Sequence, residues 1–385
     1  MTTIGDILIE RKETLGNRPE PEILTLTEAR GFIPQASRFG KRLATEDTSR
    51  YKVIRQNEFA FNPYLLWSGA IARNASHDEA IISPLYPTFR VLDTVDPGYA
   101  EMLLRSEPVR KIYDQISFGS IPRRRRASIE DFLSVPLPDL PELQKQKRIS
   151  RTLSVAAATG SSASQAQANL DQLLLQEASR MHRETSVKRV KLASIVKSFV
   201  SGKSFPDTED TSPNSWKVLR VGAVSTGSFK PEHNKPLAAS YAPPESHVVS
   251  AGDLLINRSN TPELVGQVSY VWDAPTKLTI PDTVWKFNWL QSQDSTPIYM
   301  WATLRTPRLR QAIQEIASGS NRSMLKINRQ RMMSLEVPWP SFEERQAFEA
   351  FANSVRQVQR LVNHQRTLAR ELHATLQYRA FRGEL

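Results

Sequence analysis

From Ala347 towards the end of the chain, apolar residues recur at Phe348, Phe351, Val355, Val358 and Val362, then at Ala369, Leu372 and Leu376, in alternating steps of three and four. This spacing predicts a helix whose apolar seam needs a second helix against it. No glycine or proline falls between Ser341 and Tyr378, and Arg345, Arg356, Arg360, Arg366 and Arg370 occupy the other faces. The run therefore predicts one continuous helix of about 50 Å.

The chain supplies a partner. Val337-Pro338-Trp339-Pro340-Ser341-Phe342-Glu343-Glu344-Arg345-Gln346 precedes this helix, and Val135-Pro136-Leu137-Pro138-Asp139-Leu140-Pro141-Glu142-Leu143-Gln144 matches it in kind at six of ten positions. After the earlier copy, Ile149, Leu153, Ala156, Ala163, Leu170, Leu174 and Met181 keep the same rhythm. A second long helix is expected there. Gly160, within a run of small residues, costs roughly 1 kcal/mol relative to alanine but permits close approach of another helix. A continuous or slightly bent helix is the favoured reading.

The duplication extends to the regions before the helices, and an internal repeat predicts architecture before any strand is assigned. Ile4-Gly5-Asp6-Ile7 parallels Leu192-Ala193-Ser194-Ile195, and Ile23-Leu24 with Gly31 parallels Val218-Leu219 with Gly227. Val53, Glu58, Phe59 and Asn62 meet Val248, Asp253, Leu254 and Asn257 at a constant shift of 195. Gly119-Ser120 finds Gly319-Ser320 at a shift of 200. Apolar runs at 54–61, 81–91, 248–256, 265–272 and 284–289, bounded by Gly, Pro and Asn, predict strands. Residues 99–116 and 298–316 have helical spacing, broken or kinked midway at Pro108 and Pro307.

The expected fold class is therefore α+β: two similar mixed domains, residues 1–140 and 190–340, and two long helices, residues 141–189 and 341–385. For the seams to meet, the helices must run antiparallel as a coiled coil. The domains would then lie at opposite ends, related by a pseudo-two-fold axis.

Charge and composition narrow the function. The net charge of +11 suggests a polyanionic partner, yet residues 1–140 hold 19 basic and 19 acidic side chains, so the excess is diffuse. Loops must then place cations locally. With no cysteine, thiolate metal sites and disulfides are excluded, and the six histidines have no metal-ligand spacing. No metal or cofactor is expected. The absence of an apolar run of membrane-spanning length or of a secretory signal pattern points to a cytoplasmic protein without membrane partners.

The densest cluster of cations is Arg123-Arg124-Arg125-Arg126, and arginine pairs bidentately with guanine or phosphate. At the same place in the repeat stand Arg322, Lys326, Arg329 and Arg331. Either set could simply be solvated. Asn62 and Asn257 end equivalent strands, the second followed by Arg258; asparagine reads adenine bidentately, and it also closes turns. Arg73, Arg38, Lys41, Arg42, Lys203 and Lys230 are candidate phosphate contacts on loops.

On these residues the chain resembles the specificity (S) subunit of type I restriction-modification systems. The resemblance rests on the terminal Leu376-Gln377-Tyr378-Arg379-Ala380-Phe381-Arg382-Gly383-Glu384-Leu385, on the Val-Pro-x-Pro run leading to Glu344 and Gln346, on Gln146-Lys147-Arg148-Ile149, and on Ser318-Gly319-Ser320-Asn321-Arg322 followed by Leu325-Lys326-Ile327. It implies two target recognition domains, each reading one part of a split sequence in double-stranded DNA. It also implies conserved helices that set the spacing and dock two methyltransferase (M) subunits, with restriction/translocase (R) subunits completing a system for DNA methylation and defence against foreign DNA. Two similar domains about 50 Å apart would span roughly 15 base pairs.

An enzymatic reading lacks its motifs. Asn62-Pro63-Tyr64 is half of an adenine-methyltransferase signature without a glycine-rich cofactor loop. Pro206-Asp207 and Pro281-Asp282 lack the spaced acid and lysine of a nuclease, and Glu343-Glu344 suits a helix start. No catalytic residue is expected. The alternative is a coiled-coil scaffold bridging proteins without sequence-specific DNA binding, which would show no steep salt dependence on mixed DNA.

Overall fold

The structure, a computed structural model, describes residues 2–28, 30–39, 47–119, 125–183, 187–206, 215–290, 295–319, 324–381 and 384, with the side chains of 38 and 39 excepted. The chain divides into two compact units, Met1–Ala163 with His364–Leu385 and Ser164–Asn363.

In the first unit, strands β1 (Leu8–Arg11), β2 (Phe59–Phe61), β3 (Ile71–Arg73) and β4 (Thr88–Val91) form an antiparallel sheet in the order β1-β4-β2-β3. Phe61 and Phe89 bring this sheet against Phe132, with Phe61 and Phe132 ring centroids 4.5 Å apart. Tyr99, Leu103 and Tyr113 join the same core from helices Pro97–Leu104 and Glu107–Gln115.

In the second unit, β5 (Val196–Ser201), β6 (Leu254–Asn257), β7 (Val268–Tyr270) and β8 (Val284–Trp289) repeat that connectivity in the order β5-β8-β6-β7. Helices Pro297–Arg305 and Pro307–Ile316 follow, as their counterparts do in the first unit. Each proline sits in the first turn of a new helix, where its missing N–H costs nothing. A break between two helices therefore replaces a kink.

Two expected strands are each divided. The 54–61 run turns at Asn57, whose φ of 68° is left-handed and whose side-chain carbonyl accepts from Arg73 Nη1 at 2.7 Å. Prolines 84 and 87 separate Glu79–Ile82 from Thr88–Val91 within the 81–91 run. Apolar runs alone do not reveal such interruptions, because the turn residues are outnumbered by good strand formers.

The segments that lead into and out of each globular part are paired. Thr2–Thr3 lies antiparallel to Pro136–Leu137, and Arg189–Lys191 to Glu336–Pro338. Each incoming strand runs straight into a single 3-10 turn, Ile4–Asp6 or Leu192–Ser194.

The two long helices are Leu143–Met181 and Phe342–Ala380, each of 39 residues, and the first continues through Gly160. At the second, the Ser341 N–H donates to Glu344 Oε2 (2.8 Å) and the Glu344 N–H to Ser341 Oγ (3.2 Å), a reciprocal cap. At the first, buried Gln146 accepts from the Asp96 N–H at 2.9 Å and donates to the Pro141 carbonyl at 2.8 Å.

Burial along the C-terminal helix follows Arg345, Phe348, Ala352, Val355, Gln359, Val362, Arg366, Ala369, His373, Leu376 and Ala380, in unbroken steps of three and four. This corrects the expected seam. Phe348 and Val355 are buried and Val362 and Leu376 half-buried, but Phe351 is also half-buried, and Val358 and Leu372 are 46% and 53% exposed. The alternate positions move by one residue, to Ala352, Gln359 and His373. Two neighbouring faces compete in such a repeat: the smaller Ala352 takes the buried place beside Phe351, and in the second unit Gln359 Nε2 donates to Asp171 Oδ1 at 2.8 Å. On the middle helix the stripe is Gln146, Ile149, Leu153, Ala156, Gly160, Ala163, Gln167, Leu170, Leu174, Ala178 and Met181. Of these, Ile149, Leu153 and Leu174 are buried and Leu170 half-buried.

Gly160 faces Ala369, and a Cβ built on it would stand 3.9 Å from the alanine Cβ, an ordinary contact. Gly160→Ala should therefore stabilise the first unit by about 0.5–1 kcal/mol through helix propensity; urea unfolding followed by circular dichroism measures this.

His182, at the end of the middle helix, has Nε2 3.1 Å from Thr303 Oγ1 and its ring edge-on to Tyr299. Burial, with Arg189 and Arg308 adding to it, lowers its pKa from 6.5 to about 4. The folded state thus keeps it neutral while the unfolded chain protonates it. Stability of the second unit should fall as pH drops from about 6.5 towards 4, by at most about 1.4 kcal/mol per pH unit. Denaturant unfolding at pH 7 and pH 5 should show this fall, and His182→Asn should flatten it.

Candidate nucleic-acid interface

In the second unit, Ser259–Asn260 pairs with Leu325–Ile327, which pairs in turn with Ala317–Ser318. This short ladder borders a cleft of about 410 Å³ into which Ser201, Arg258, Trp285, Ser318, Lys326 and Arg329 converge. Three of the cations singled out in the sequence, Arg258, Lys326 and Arg329, meet there, although Arg258 and Lys326 stand 68 positions apart in the chain.

Trp285, 2% exposed, lies at the base of the cleft. The guanidinium carbons of Arg258 and Arg329 are 5.4 and 5.6 Å from its ring centroid. Arg329 Nη2 donates to the Phe199 carbonyl at 3.0 Å. Asn328 accepts from the Arg331 N–H and so starts the short helix that carries Arg329. The backbone of Arg258 is held on both sides, its N–H donating to the Thr283 carbonyl and its own carbonyl accepting from the Ile327 N–H, each at 2.9 Å. No aspartate or glutamate lines the cleft among the described residues. It offers hydrogen-bond donors and positive charge.

The first unit has a cleft at the corresponding place. Phe118 and Arg126 exchange backbone hydrogen bonds, and the Ala127 N–H donates to the Pro63 carbonyl. With a shift of 200, Phe118, Arg126, Ser128 and Ile129 take the positions of Ser318, Lys326, Asn328 and Arg329. This cleft, of about 570 Å³, differs in chemistry. Pro63 stands where the second unit has Arg258, and Leu85 and Phe118 are exposed. Arg126 lies 5.7 Å from the Tyr64 ring centroid, and Arg125 lies 5.6 Å from that of Trp67 while pairing with Asp114 at 2.7 Å.

The other candidates lie apart from the clefts. Arg73 is engaged by Glu101 (3.0 Å) and Asn57. Asn62 accepts from the Tyr64 N–H at 3.0 Å, the geometry of a turn closure. Asn257 is fully buried, and its Nδ2 donates to Ser225 Oγ at 3.1 Å. Lys203 is exposed and Lys230 half-buried. Arg123, Arg124, Arg322, Lys41 and Arg42 lie outside the described residues, as does the side chain of Arg38.

Sequence reasoning passed over Trp285 and Trp67, and met Tyr64 only within Asn62-Pro63-Tyr64. The available signal was the aromatic-rich run Val284–Trp289, but only the fold brings one of its rings beneath two arginines. Among the described residues there is no group of three or more His, Asp or Glu able to hold a metal ion, and no helix long and apolar enough to cross a membrane.

Comparison with known proteins agrees with the resemblance drawn from the sequence. The fold is that of type I restriction-modification S subunits. The S subunit from M. genitalium superposes with a TM-score of 0.59 at 12% identity, covering 98% of this chain and 95% of that one. A chain from a type I restriction-modification system, studied for complex assembly and conformational transition, gives a TM-score of 0.54 at 16% identity, covering 100% and 97%. In sequence, the chain is similar to the type I restriction enzyme EcoEI specificity subunit of Escherichia coli, 26% identical over 152 residues. That match covers 39% of this chain and 25% of the relative. No family model matches.

Because Asn257 is enclosed, Asn257→Ala should act first on stability. Loss of its hydrogen bond to Ser225 should lower the stability of the second unit by about 1–3 kcal/mol, read as a reduced midpoint in thermal unfolding.

Proposed function

We propose that this chain is the non-catalytic DNA-specificity subunit of a type I restriction-modification complex. Residues 1–140 and 190–340 act as two target recognition domains that read the two parts of a split site in double-stranded DNA. Residues 141–189 and 341–385 are the conserved helices that dock two M subunits, and R subunits complete the restriction complex. Methyl transfer and cleavage belong to those other chains, in the cytoplasm.

The observation that carries this reading is the duplication of one topology with a cation-bearing cleft at the same place in each copy, in a chain with the fold of S subunits. Different cleft chemistry on one frame suits two half-sites of different sequence. Clefts contribute phosphate and base contacts, which position and specify respectively.

Methylated adenines should be mapped in DNA from cells with and without this chain and its methyltransferase. The expected result is a split motif that depends on the chain. Exchange of residues 190–340 for those of another S subunit should change one part of the motif and leave the other intact. Methylation that is independent of the chain, or a motif that changes throughout, would contradict the proposal.

A further inference from the structure

We propose that the cleft of the second unit is a phosphate-binding site, which anchors that unit on the DNA backbone and does not read a base. The inference deepens the proposed function, on which it rests for the identity of the polyanion. Its first support is the composition of the site: Arg258, Lys326 and Arg329 converge on it, and no carboxylate lines it among the described residues. Arg55 and Arg18, by contrast, are compensated by Glu13 at 2.6 and 2.9 Å. Two guanidiniums 5.4 and 5.6 Å from one ring centroid concentrate positive charge at the cleft, and a bound anion offsets it.

A second support comes from the hydrogen-bond groups. Among the described residues, Trp285 Nε1, an obligate donor on a residue only 2% exposed, is buried without a hydrogen-bond partner, and so is Arg258 Nε. An unsatisfied buried donor carries a penalty that an acceptor oxygen removes. A phosphodiester supplies only acceptors.

Shape separates a phosphate from a base edge. Phosphates stand out from the duplex, whereas base edges lie at the floor of a groove and are reached by protruding elements. The cleft is concave, with Trp285 at its base. In the first unit the equivalent cleft has Pro63 in place of Arg258 and Ile129 in place of Arg329, so this arrangement belongs to the second unit.

The test has two arms. In the first, the full chain is titrated with inorganic phosphate against chloride at matched ionic strength, and thermal unfolding is followed. A saturable rise in Tm is expected for the wild type and for Lys12→Ala, a charge-matched control on an exposed side chain. The rise should be lost in Arg258→Gln and reduced in Lys326→Ala; the Lys326 side chain is exposed, so its removal leaves the ladder intact.

In the second arm, the chain is assembled with its methyltransferase and DNA affinity is measured against salt. Arg258→Gln with Lys326→Ala should weaken cognate and mixed-sequence DNA by the same factor, lower the steepness of the log–log salt dependence by about 1–2, and leave the methylated motif unchanged. Relaxation of the motif at one base, or an unchanged phosphate response and salt dependence, overturns the proposal. Phosphate binding in a wild-type chain that does not bind DNA keeps the anion site and removes the proposed function instead.

Discussion

The structure depends on the apolar stripe that each long helix presents to the other within each unit. A 39-residue helix with one uncovered stripe has no reason to persist in water, since helical stability in proteins comes mainly from packing. In the second unit Phe348, Ala352 and Val355 belong to one core with Leu174, Ala178 and Met181, and that same core contains Trp285, Phe287 and Tyr299. In the first, Ile149, Leu153 and Ala380 share a core with Phe59, Phe89 and Tyr99. Helix packing and domain packing are thus continuous in each unit, so the globular part cannot turn freely on its helices.

The paired incoming and outgoing strands reinforce this. A ladder of two or three residues is weak by itself, yet Arg189–Lys191 against Glu336–Pro338 fixes where the chain leaves the domain relative to where it arrived. The prolines of the outgoing segment end the ladder and free the chain to begin a helix. In the first unit Pro138 follows the paired strand Pro136–Leu137 in the same way.

One frame therefore carries two different clefts. The sheets share their strand order, the 3-10 turns that open the two globular parts share their form, and each cleft lies beside a short capped helix, Ile129–Leu133 or Arg329–Met333. What differs is the side chains: arginine against proline at 258 and 63, arginine against isoleucine at 329 and 129. Such positions can vary without disturbing the core: the Pro63 carbonyl keeps the bond from the Ala127 N–H that matches the one from Ile327 to Arg258, and only the Arg258 N–H donor has no counterpart at Pro63.

Local regularities made much of this legible in the amino-acid sequence. The duplication, the two long helices and the paired proline segments all follow from spacing and from residues that start or stop elements. The rotation of the seam did not follow, because Phe351, Val358 and Leu372 are more apolar than Ala352, Gln359 and His373, and only contacts made in the fold, such as that of Gln359 with Asp171, select the second set. Nor did the cleft: Arg258, Trp285 and Lys326 are far apart in the chain, and their meeting is a consequence of strand pairing. The sequence by itself determined which elements form and that they form twice; the tertiary structure decided which faces close and which cations meet, since both depend on contacts between residues that no local pattern relates.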